Sequence, residues 1–242
     1  MDSLSKIPGV PLYVQIREAL REDITKALLK PGQKIPSEEE LAKRYHVSRM
    51  TVRQGIADLI NEGLLYRRRG IGTFVAQLRI TRDYTKLTSF FEDMLERGLH
   101  PSSRLLNLKV IPAGPKIAKA LALEKGEPVI CIERLRLAAD QPIAIHCAYV
   151  PQKLCPELLK EDLESQSLYM LFESYGFKLK RAVQRIEARQ ANQFQAHLLE
   201  VEEGAPLLYM ERITFADDGT PVEYVEGYNR GDRYACTIVL SR

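Results

Sequence analysis

The 242-residue chain has little of what marks a secreted, membrane-spanning or metal-binding protein. No apolar run approaches the roughly 20 residues that cross a bilayer, and the N-terminus shows no signal-peptide core, so we expect a cytoplasmic protein without membrane contact. The four cysteines (Cys131, Cys147, Cys155, Cys236) form no C-x-x-C pair, and no histidine stands at ligand spacing. We therefore predict reduced packing cysteines and neither a metal nor a cofactor.

Sequence patterns typical of catalysis are also missing. The chain contains no Ser-His-Asp order, no phosphate-binding glycine loop and no pair of carboxylates with evident catalytic spacing. These absences argue against an enzyme and favour a binding protein.

Positive charge is present but unevenly placed. Residues 1–76 hold 13 Lys and Arg against 9 Asp and Glu, whereas the remaining residues hold 22 against 23. A polyanion would therefore bind the N-terminal part of the chain.

The N-terminal part shows three helical patterns followed by a hairpin pattern. A helix begins at Pro11, with one apolar face formed by Leu12, Ile16, Leu20, Ile24 and Leu28. Ser37 is expected to cap a short second helix, and Ser48 to cap a third helix from about Arg49 to Asn61, with a buried stripe of Val52, Ile56, Leu59 and Ile60. The stretch "GLLYRRRGIGTFV" then alternates like two strands around a glycine turn.

This order of elements is that of a winged helix-turn-helix. Such a fold places its third helix in the DNA major groove, where an arginine fork matches the O6 and N7 acceptors of guanine. Arginines and glycines at a hairpin tip approach phosphates or the minor groove. The alternative for the third helix is an ordinary solvated polar face.

The segment "LAKRYHVSRMTVRQGIADLINEGLLYRRRGIGTFV" resembles the winged helix of the GntR family of bacterial transcription regulators, across residues 8–76. The resemblance implies DNA contacts by Arg49, Thr51, Arg53 and Gly70, and the full predicted set is Ser37, Arg49, Thr51, Arg53, Arg69 and Gly70. Two positions depart from the family pattern, since Glu39 stands where Arg is common and Gly55 where Ala is common. A glycine inside a helix costs roughly 1 kcal/mol, so Gly55 predicts close helix packing.

The C-terminal part repeats itself. Residues 121–145, "LALEKGEPVICIERLRLAADQPIAI", resemble residues 198–224, "LLEVEEGAPLLYMERITFADDGTPVEY". Matched pairs include Glu133 with Glu211 and Arg134 with Arg212. Two related hairpins can join one antiparallel sheet about a pseudo-twofold axis, and the alternative is chance similarity of two amphipathic hairpins.

Two arginines continue an aliphatic row on the first repeated strand. Ile130, Ile132, Arg134 and Arg136 alternate with their neighbours and therefore share one face. Desolvated arginines need an anion, and a phosphate or carboxylate suits their geometry. The alternative is pairing with nearby glutamates.

Two serines precede short helical patterns in this part of the chain. Ser89 begins "SFFEDMLERG", and Ser167 begins "SLYMLFESYG" together with Tyr169. A helix N-terminus can bind an anion, although each serine can equally be a simple cap.

Residues 80–240 resemble the effector-binding module of the HutC subfamily of GntR regulators, of the UTRA type, whose fold is similar to chorismate lyase. The markers are "LTSFFEDMLERG", "ERLRLAADQPIAI", "SLYMLFESYG" and "VEYVEGYNRGDRY". They are nearest to regulators of N-acetylglucosamine use, which sense amino-sugar phosphates. That resemblance implies a phosphate site formed by Ser89, Phe90, Arg134, Arg136, Ser167 and Tyr169, with Glu223 on the sugar.

Two positions depart from that subgroup. His146 stands where Glu is usual and Asn229 where Tyr is usual, and both belong to the sugar end of the predicted effector site. His146 can hydrogen-bond a hydroxyl or change its charge near neutral pH.

The prediction as a whole is an α+β chain with three parts: a winged helix-turn-helix over residues 1–76, a linker over 77–86, and an effector domain with an antiparallel sheet over 87–242. Its predicted partners are a double-stranded operator with an inverted repeat, a second copy of the chain and a sugar phosphate that relieves repression. Two alternatives remain open: an effector that is a non-phosphorylated carboxylic acid, and a lyase-like enzyme fused to a DNA-binding domain.

Overall fold

The chain forms two compact units, residues 1–78 and 79–242. The structure is a computed structural model that describes residues 8–26, 28–76, 80–83, 85–138 and 140–239. Part of the predicted linker, namely residues 77–79 and 84, lies outside these ranges, and Ile80–Asp83 between them forms a strand. The linker assignment therefore stays a prediction.

The N-terminal unit has the winged-helix order of elements. Its helices are α1 (Leu12–Thr25), α2 (Glu38–Tyr45) and α3 (Arg49–Asn61), followed by strands β1 (Leu65–Arg68) and β2 (Gly72–Val75). The two strands pair antiparallel and form the wing. The hydroxyls of Ser37 and Ser48 accept the backbone N–H groups of Glu40 and Thr51, so both serines are the predicted helix caps.

One apolar core holds these elements together. Ile16 and Leu20 of α1 pack in one cluster with Val52, Ile56 and Leu59 of α3, and each of the five side chains is at most 1% exposed. The stripe predicted for the third helix is therefore confirmed for these three α3 residues, while Ile60 is only partly buried against the cluster.

The predicted apolar face of α1 wrongly included Leu28. The helix ends at Thr25, and Leu28 beyond it is 54% exposed. Leu29 takes the buried position instead, at 2% exposure, because the chain has left the helix and no longer follows the four-residue spacing.

Gly55 brings α1 and α3 together. A β-carbon built on Gly55 would lie 2.8 Å from the backbone carbonyl oxygen of Tyr13 in α1. A backbone oxygen cannot swing away as a flexible side chain can, so the close packing predicted at this glycine is confirmed.

The C-terminal unit is built on a six-stranded antiparallel sheet in the order β4-β5-β6-β9-β8-β7. Its strands are β4 (Pro101–Pro112), β5 (Pro128–Ala138), β6 (Gln141–Pro151), β7 (Leu179–Gln190), β8 (Pro206–Ala216) and β9 (Pro221–Arg230). A separate parallel pair joins β3 (Ile80–Asp83) to β10 (Tyr234–Thr237).

Helices cover both faces of this sheet. They are α4 (Phe90–Leu95), α5 (Pro115–Leu121), α6 (Leu168–Ser174) and α7 (Gln193–Leu199). Phe172 of α6 packs with Ile130 and Ile132 on one face. The helices α5 and α7 pack on the opposite face, against Val129 and Leu135 respectively.

The repeat seen in the hairpins extends over most of this unit. The order α4-β4-α5-β5-β6 recurs as α6-β7-α7-β8-β9, with a constant offset: 101–112 matches 179–190, 115–121 matches 193–199, and 128–138 matches 206–216. The two halves meet at the antiparallel pair of β6 and β9, which makes the sheet order palindromic. The predicted α+β class is confirmed. None of the helices in the described ranges is long and apolar enough to cross a membrane.

Candidate functional site

The structure contains two candidate sites, one in each unit. The first is a groove of the N-terminal unit between the wing, the start of α2 and the start of α3. Four of the predicted DNA contacts line it: Ser37, Arg49, Arg69 and Gly70. Arg67, Arg68 and Lys34 add further cations to its walls.

The first turn of α3 displays its side chains to solvent. Arg49 is exposed, and the next residue, Met50, is 67% exposed despite its apolar side chain. Thr51 is half-buried, and its hydroxyl lies 2.8 Å from that of Ser48. In helix-turn-helix proteins the side chains that reach base edges lie at this end of the recognition helix.

Arg53 follows one turn later on α3 and is held by a carboxylate. Its Nε and Nη2 donate to Oε2 of Glu38 at 3.1 and 3.0 Å. The other oxygen of Glu38 accepts Nη2 of Arg67 in the wing at 2.9 Å. We define these three residues as the Glu38 bridge.

The wing ends in an exposed turn. Arg69 and Gly70 form this turn, and Gly70 has a φ of +76°, which favours glycine. Ile71 beside them is 57% exposed. Below the turn, Arg68 lies over the rings of Tyr66 and Phe74, at 5.7 and 5.5 Å from the ring centroids.

The second candidate site is a buried pocket of the C-terminal unit, between the sheet and helices α4 and α6. Eight of the nine predicted effector contacts line it: Ser89, Phe90, Arg134, Arg136, His146, Ser167, Tyr169 and Glu223. Asn229, the ninth, does not line the pocket. It is 1% exposed and lies behind His146.

The pocket contains more buried positive than negative charge. Arg134, Arg136 and Arg212 are 1%, 5% and 6% exposed, whereas Glu223 is the one carboxylate among the lining residues that the structure describes. Burial lowers the pKa of Arg134 to about 10, although the nearby Glu223 opposes this shift. Burial in turn raises the pKa of Glu223, against the opposing influence of Arg212 and the hydrogen bond from Thr214. An anion in the pocket would compensate the excess charge.

Arg134 and Ser167 carry buried polar atoms that no described residue contacts by a hydrogen bond. Nη1 of Arg134 donates to the carbonyl oxygen of Leu163 at 3.0 Å. Within the described residues, neither Nε of Arg134 nor Oγ of Ser167 has a hydrogen-bond partner, and both atoms are buried. Such atoms cost free energy unless a bound group satisfies them.

The two serines before α4 and α6 are used differently. Ser89 accepts the N–H of Glu92 at 3.1 Å and Glu92 returns the bond, so Ser89 is a helix cap. Ser167 precedes α6 but makes no capping hydrogen bond with its side chain.

A directed chain of hydrogen bonds crosses the floor of the pocket. Nη1 of Arg212 donates to the hydroxyl of Tyr169 at 3.2 Å, and that hydroxyl lies 3.1 Å from Oγ1 of Thr214. Thr214 donates to Oε2 of Glu223 at 3.1 Å. Because Thr214 uses its single proton on Glu223, it accepts the proton of Tyr169, and Tyr169 in turn accepts from Arg212. The hydroxyls of Tyr169 and Thr214 therefore both donate in the direction of Glu223.

His146 and Asn229, the two departures from the amino-sugar pattern, contact each other. Nδ2 of Asn229 donates to the carbonyl oxygen of Leu208 at 3.0 Å, so its Oδ1 faces Nε2 of His146 at 3.3 Å. An amide oxygen only accepts, which makes Nε2 of His146 the protonated nitrogen. The rings of Phe90 and His146 pack edge-on. The guanidinium of Arg136 lies 5.0 Å from the centroid of the Phe90 ring.

The sequence prediction gave no site role to Glu38, Arg212 or Thr214. No sequence signal pairs Glu38 with Arg53. Arg212 was matched to Arg134 by the repeat, and this was the signal that could have placed it in the pocket. Thr214 carried no such signal. The described residues contain no group of three or more His, Cys, Asp or Glu side chains suited to a metal ion.

Comparisons with known proteins match a family model to each part of the chain. The family model described as "Bacterial regulatory proteins, gntR family" matches residues 12–75, and that described as "UTRA domain" matches residues 96–235. The HTH-type transcriptional repressor NagR of Bacillus subtilis (strain 168) is 38% identical over 241 residues, 99% of either chain. The mannosyl-D-glycerate transport/metabolism system repressor MngR of Escherichia coli (strain K12) is 30% identical over 232 residues, 96% of this chain and 97% of MngR.

A solved structure has the same fold. The crystal structure of PhnF from Mycobacterium smegmatis superposes with a TM-score of 0.71 at 26% sequence identity, and the match covers 93% of this chain and 99% of PhnF.

Proposed function

The chain belongs to the GntR family of bacterial regulatory proteins and carries a UTRA domain, and from this premise we propose that a phosphorylated amino sugar releases it from its operator. Its domains and relatives are transcription regulators rather than enzymes, so the lyase-like alternative is set aside. It is a transcriptional repressor that binds operator DNA and a small-molecule effector. We also propose which residues contact the effector and the DNA, and that two copies of the chain bind one operator.

Within the described residues, Nε of Arg134 and Oγ of Ser167 have no hydrogen-bond partner, and this observation supports the effector proposal most strongly. Both atoms face a pocket whose described lining includes three buried arginines and one carboxylate. A phosphate monoester offers three strong acceptor oxygens, which suit a guanidinium and hydroxyls converging from different elements. A carboxylate has two oxygens and satisfies fewer of these donors, which is why we favour phosphate over the carboxylic acid.

The sugar is assigned to the end of the pocket that holds Glu223 and His146. The carboxylate of Glu223 accepts hydrogen bonds, as the hydroxyls or amino group of a sugar require. NagR resembles the chain over its whole length, and the name of MngR refers to a sugar derivative with an acid group. His146 and Asn229 change this end of the pocket together, because they share a hydrogen bond. We therefore expect any change in specificity to affect the sugar and not the phosphate.

Ligand entry requires the pocket to change shape. The cavity volume of the pocket is about 40 Å³, which is room for a few water molecules but not for a hexose. Arg212 also donates to the carbonyl oxygen of Thr88, directly before α4. A ligand that parts the pocket therefore acts on α4 and on the segment that leads into it.

The DNA side of the proposal uses the groove of the N-terminal unit. Arg49, Thr51 and Arg53 would contact bases in the major groove, while Ser37, Arg69 and Gly70 approach the backbone or the minor groove. Two copies of the chain would bind an inverted repeat, with recognition helices about one DNA turn apart or a multiple of it. The effector acts through its different affinities for the DNA-competent and DNA-incompetent arrangements.

A thermal-shift panel tests the effector class. Glucosamine-6-phosphate, N-acetylglucosamine-6-phosphate, other hexose phosphates, unphosphorylated sugars and carboxylic acids are each compared on the same protein. A ligand at about 100 times its dissociation constant adds roughly 2.7 kcal/mol of stability, so the amino-sugar phosphates should raise the melting temperature by several degrees.

Matched variants locate the binding. Arg134→Gln should abolish the shift, while Arg185→Gln, at a side chain 71% exposed on β7, should retain it. A shift with carboxylic acids alone would replace the phosphate proposal by the carboxylate alternative. A shift with other hexose phosphates alone would keep the phosphate and reject the amino sugar.

A further inference from the structure

One carboxylate connects all three elements that form the DNA-binding groove. Glu38 is the first residue of α2, Arg53 lies on α3 and Arg67 lies on β1 of the wing. The Glu38 side chain is 16% exposed, whereas the two arginines are 50% and 49% exposed. The acid is therefore at the base of the groove, and the two cations extend from it toward solvent.

The hydrogen bonds leave a defined edge of Arg53 available. A guanidinium has five N–H donors, and Arg53 uses Nε and one hydrogen of Nη2 on Glu38. The remaining donors lie on Nη1 and the outer side of Nη2. Two adjacent donors of this kind match the O6 and N7 acceptors of guanine.

We propose that Glu38 is a positioning residue that sets the sequence specificity of DNA binding, by holding Arg53 and Arg67 in one arrangement. This inference rests on the proposed DNA interface. With Glu38 in place, Arg53 presents one edge to the bases and the wing keeps a fixed distance from the recognition helix. Without it, both arginines are free to follow the phosphates of any sequence.

The effect is on specificity and not on folding. An ion pair with a half-exposed arginine contributes little to stability, because solvent screens it and the arginine loses rotamer freedom. Orientation matters more in recognition, since phosphate contacts carry no sequence information and base contacts do. An arginine released from Glu38 therefore exchanges an oriented base contact for a phosphate contact that fades with salt.

The test compares Glu38→Gln with a matched control, Glu62→Gln. Glu62 also binds an arginine, Arg21, at 2.6 Å, but it does not line the groove. Both variants lose one negative charge from the same unit, and Glu62→Gln breaks one arginine–carboxylate contact whereas Glu38→Gln breaks two. The operator is the duplex that wild-type protein selects from a random library, and the competitor is a scrambled duplex of equal length and composition.

The measured quantity is the ratio of operator affinity to scrambled-duplex affinity, taken at several salt concentrations. We expect Glu38→Gln to lower this ratio about tenfold, the order of discrimination that one well-oriented arginine–guanine contact provides. The loss should appear as weaker operator binding together with equal or tighter binding of the scrambled duplex. Glu62→Gln should leave the ratio unchanged. A merely structural role of Glu38 would weaken binding to both duplexes alike.

A double-mutant cycle locates the effect. In the Arg53→Ala background, Glu38→Gln should no longer lower the ratio to the same extent, because the side chain that it orients is gone. Glu38→Asp, which keeps the charge but shortens the reach, should give an intermediate ratio.

Two outcomes overturn the proposal in different ways. If Arg49→Ala and Arg53→Ala weaken operator binding but Glu38→Gln has the same ratio as Glu62→Gln, only the role of Glu38 is wrong. If Arg49→Ala and Arg53→Ala bind the operator like wild type, the DNA interface itself is wrong and the inference fails with it. Equal melting temperatures of the variants show that each measurement reports on folded protein.

Discussion

Ser89 and Ser167 occupy matching positions in the two halves of the C-terminal unit, but their hydroxyls have different hydrogen bonding. Ser89 caps its helix, and Ser167 leaves its hydroxyl buried without a partner among the described residues. The sequence offered a cap or an anion contact for either serine. The structure favours the cap for Ser89 and leaves Ser167 available for a ligand.

Replacing each serine by alanine separates the two roles. Ser167→Ala should leave the free energy of unfolding unchanged or slightly raised, because it removes a buried hydroxyl that makes no hydrogen bond. It should also weaken effector binding about tenfold, as the loss of a hydrogen bond to a charged group does. Urea unfolding and titration calorimetry with glucosamine-6-phosphate measure both quantities.

Ser89→Ala serves as the contrasting variant in that experiment. It removes a cap and should cost about 1 kcal/mol of stability. If Ser167→Ala destabilises the protein as much as Ser89→Ala and binds the effector normally, Ser167 is a structural residue and not a ligand contact.

Glu223 gives a prediction on pH dependence. Burial raises its pKa above the ordinary value of 4.5, so the folded state holds this proton more tightly than the unfolded state. As pH rises above about 4.5, the unfolded state loses the proton first, and the contribution of Glu223 to folding becomes less favourable. Glu223→Gln should therefore gain stability relative to wild type as pH increases toward neutrality.

Urea unfolding of both proteins at several pH values between 4.5 and 7 gives this difference directly. Subtracting the two curves cancels the carboxylates that they share. A difference that shrinks with increasing pH would mean that the arginines dominate and hold the pKa of Glu223 below its ordinary value.

At the scale of elements, the packing of α1 against α3 depends on the missing side chain of Gly55. Alanine inside a helix normally stabilises it by roughly 1 kcal/mol relative to glycine. At Gly55 the new β-carbon would lie 2.8 Å from the carbonyl oxygen of Tyr13, and overpacking typically costs 1–3 kcal/mol. We therefore expect Gly55→Ala to destabilise the protein by about 1 kcal/mol.

Calorimetry of the full chain measures this change. Gly114→Ala is the control, because its φ is −69° and an added β-carbon meets nothing within 4 Å. If Gly55→Ala is as stable as wild type, α1 and α3 can move apart at little cost and the packing argument is wrong.

The sequence predicted elements well where the signal is local. The caps Ser37 and Ser48, the bounds of the third helix and the wing all follow from spacing and turn chemistry within a few residues. Contacts between distant segments were harder. The repeat revealed two hairpins, but the matching helices α4 and α6 share too few residue types to show that the whole half is duplicated. Glu38 and Arg53 are likewise joined only by the fold.

Arg212 shows how far a repeat can be used. It matches Arg134 in sequence, and both lie in the same pocket because the two halves meet at the β6–β9 pair. A sequence match alone could not show that the two arginines converge, since the same repeat would also fit two separate pockets. The convergence depends on the strand order, which no local pattern encodes.

At the scale of the whole molecule, the proposed function requires two copies of the chain. Native mass spectrometry should show a homodimer, and one dimer should bind each inverted repeat. Inserting half a helical turn between the half-sites rotates one of them to the opposite side of the DNA, so it should weaken binding far more than inserting a full turn. A monomer, with or without operator, would contradict the dimeric arrangement and leave the groove and pocket assignments to be tested separately.

A phosphorylated amino sugar in the pocket is expected to release the protein from DNA. Fluorescence anisotropy of labelled operator bound to the protein tests this release most directly. Glucosamine-6-phosphate and glucosamine are added in two separate titrations. We predict that the phosphorylated sugar releases the operator, that glucosamine does not, and that Arg134→Gln stays bound in both titrations. Release by glucosamine at equal concentration, or release of Arg134→Gln at the wild-type concentration, would contradict it.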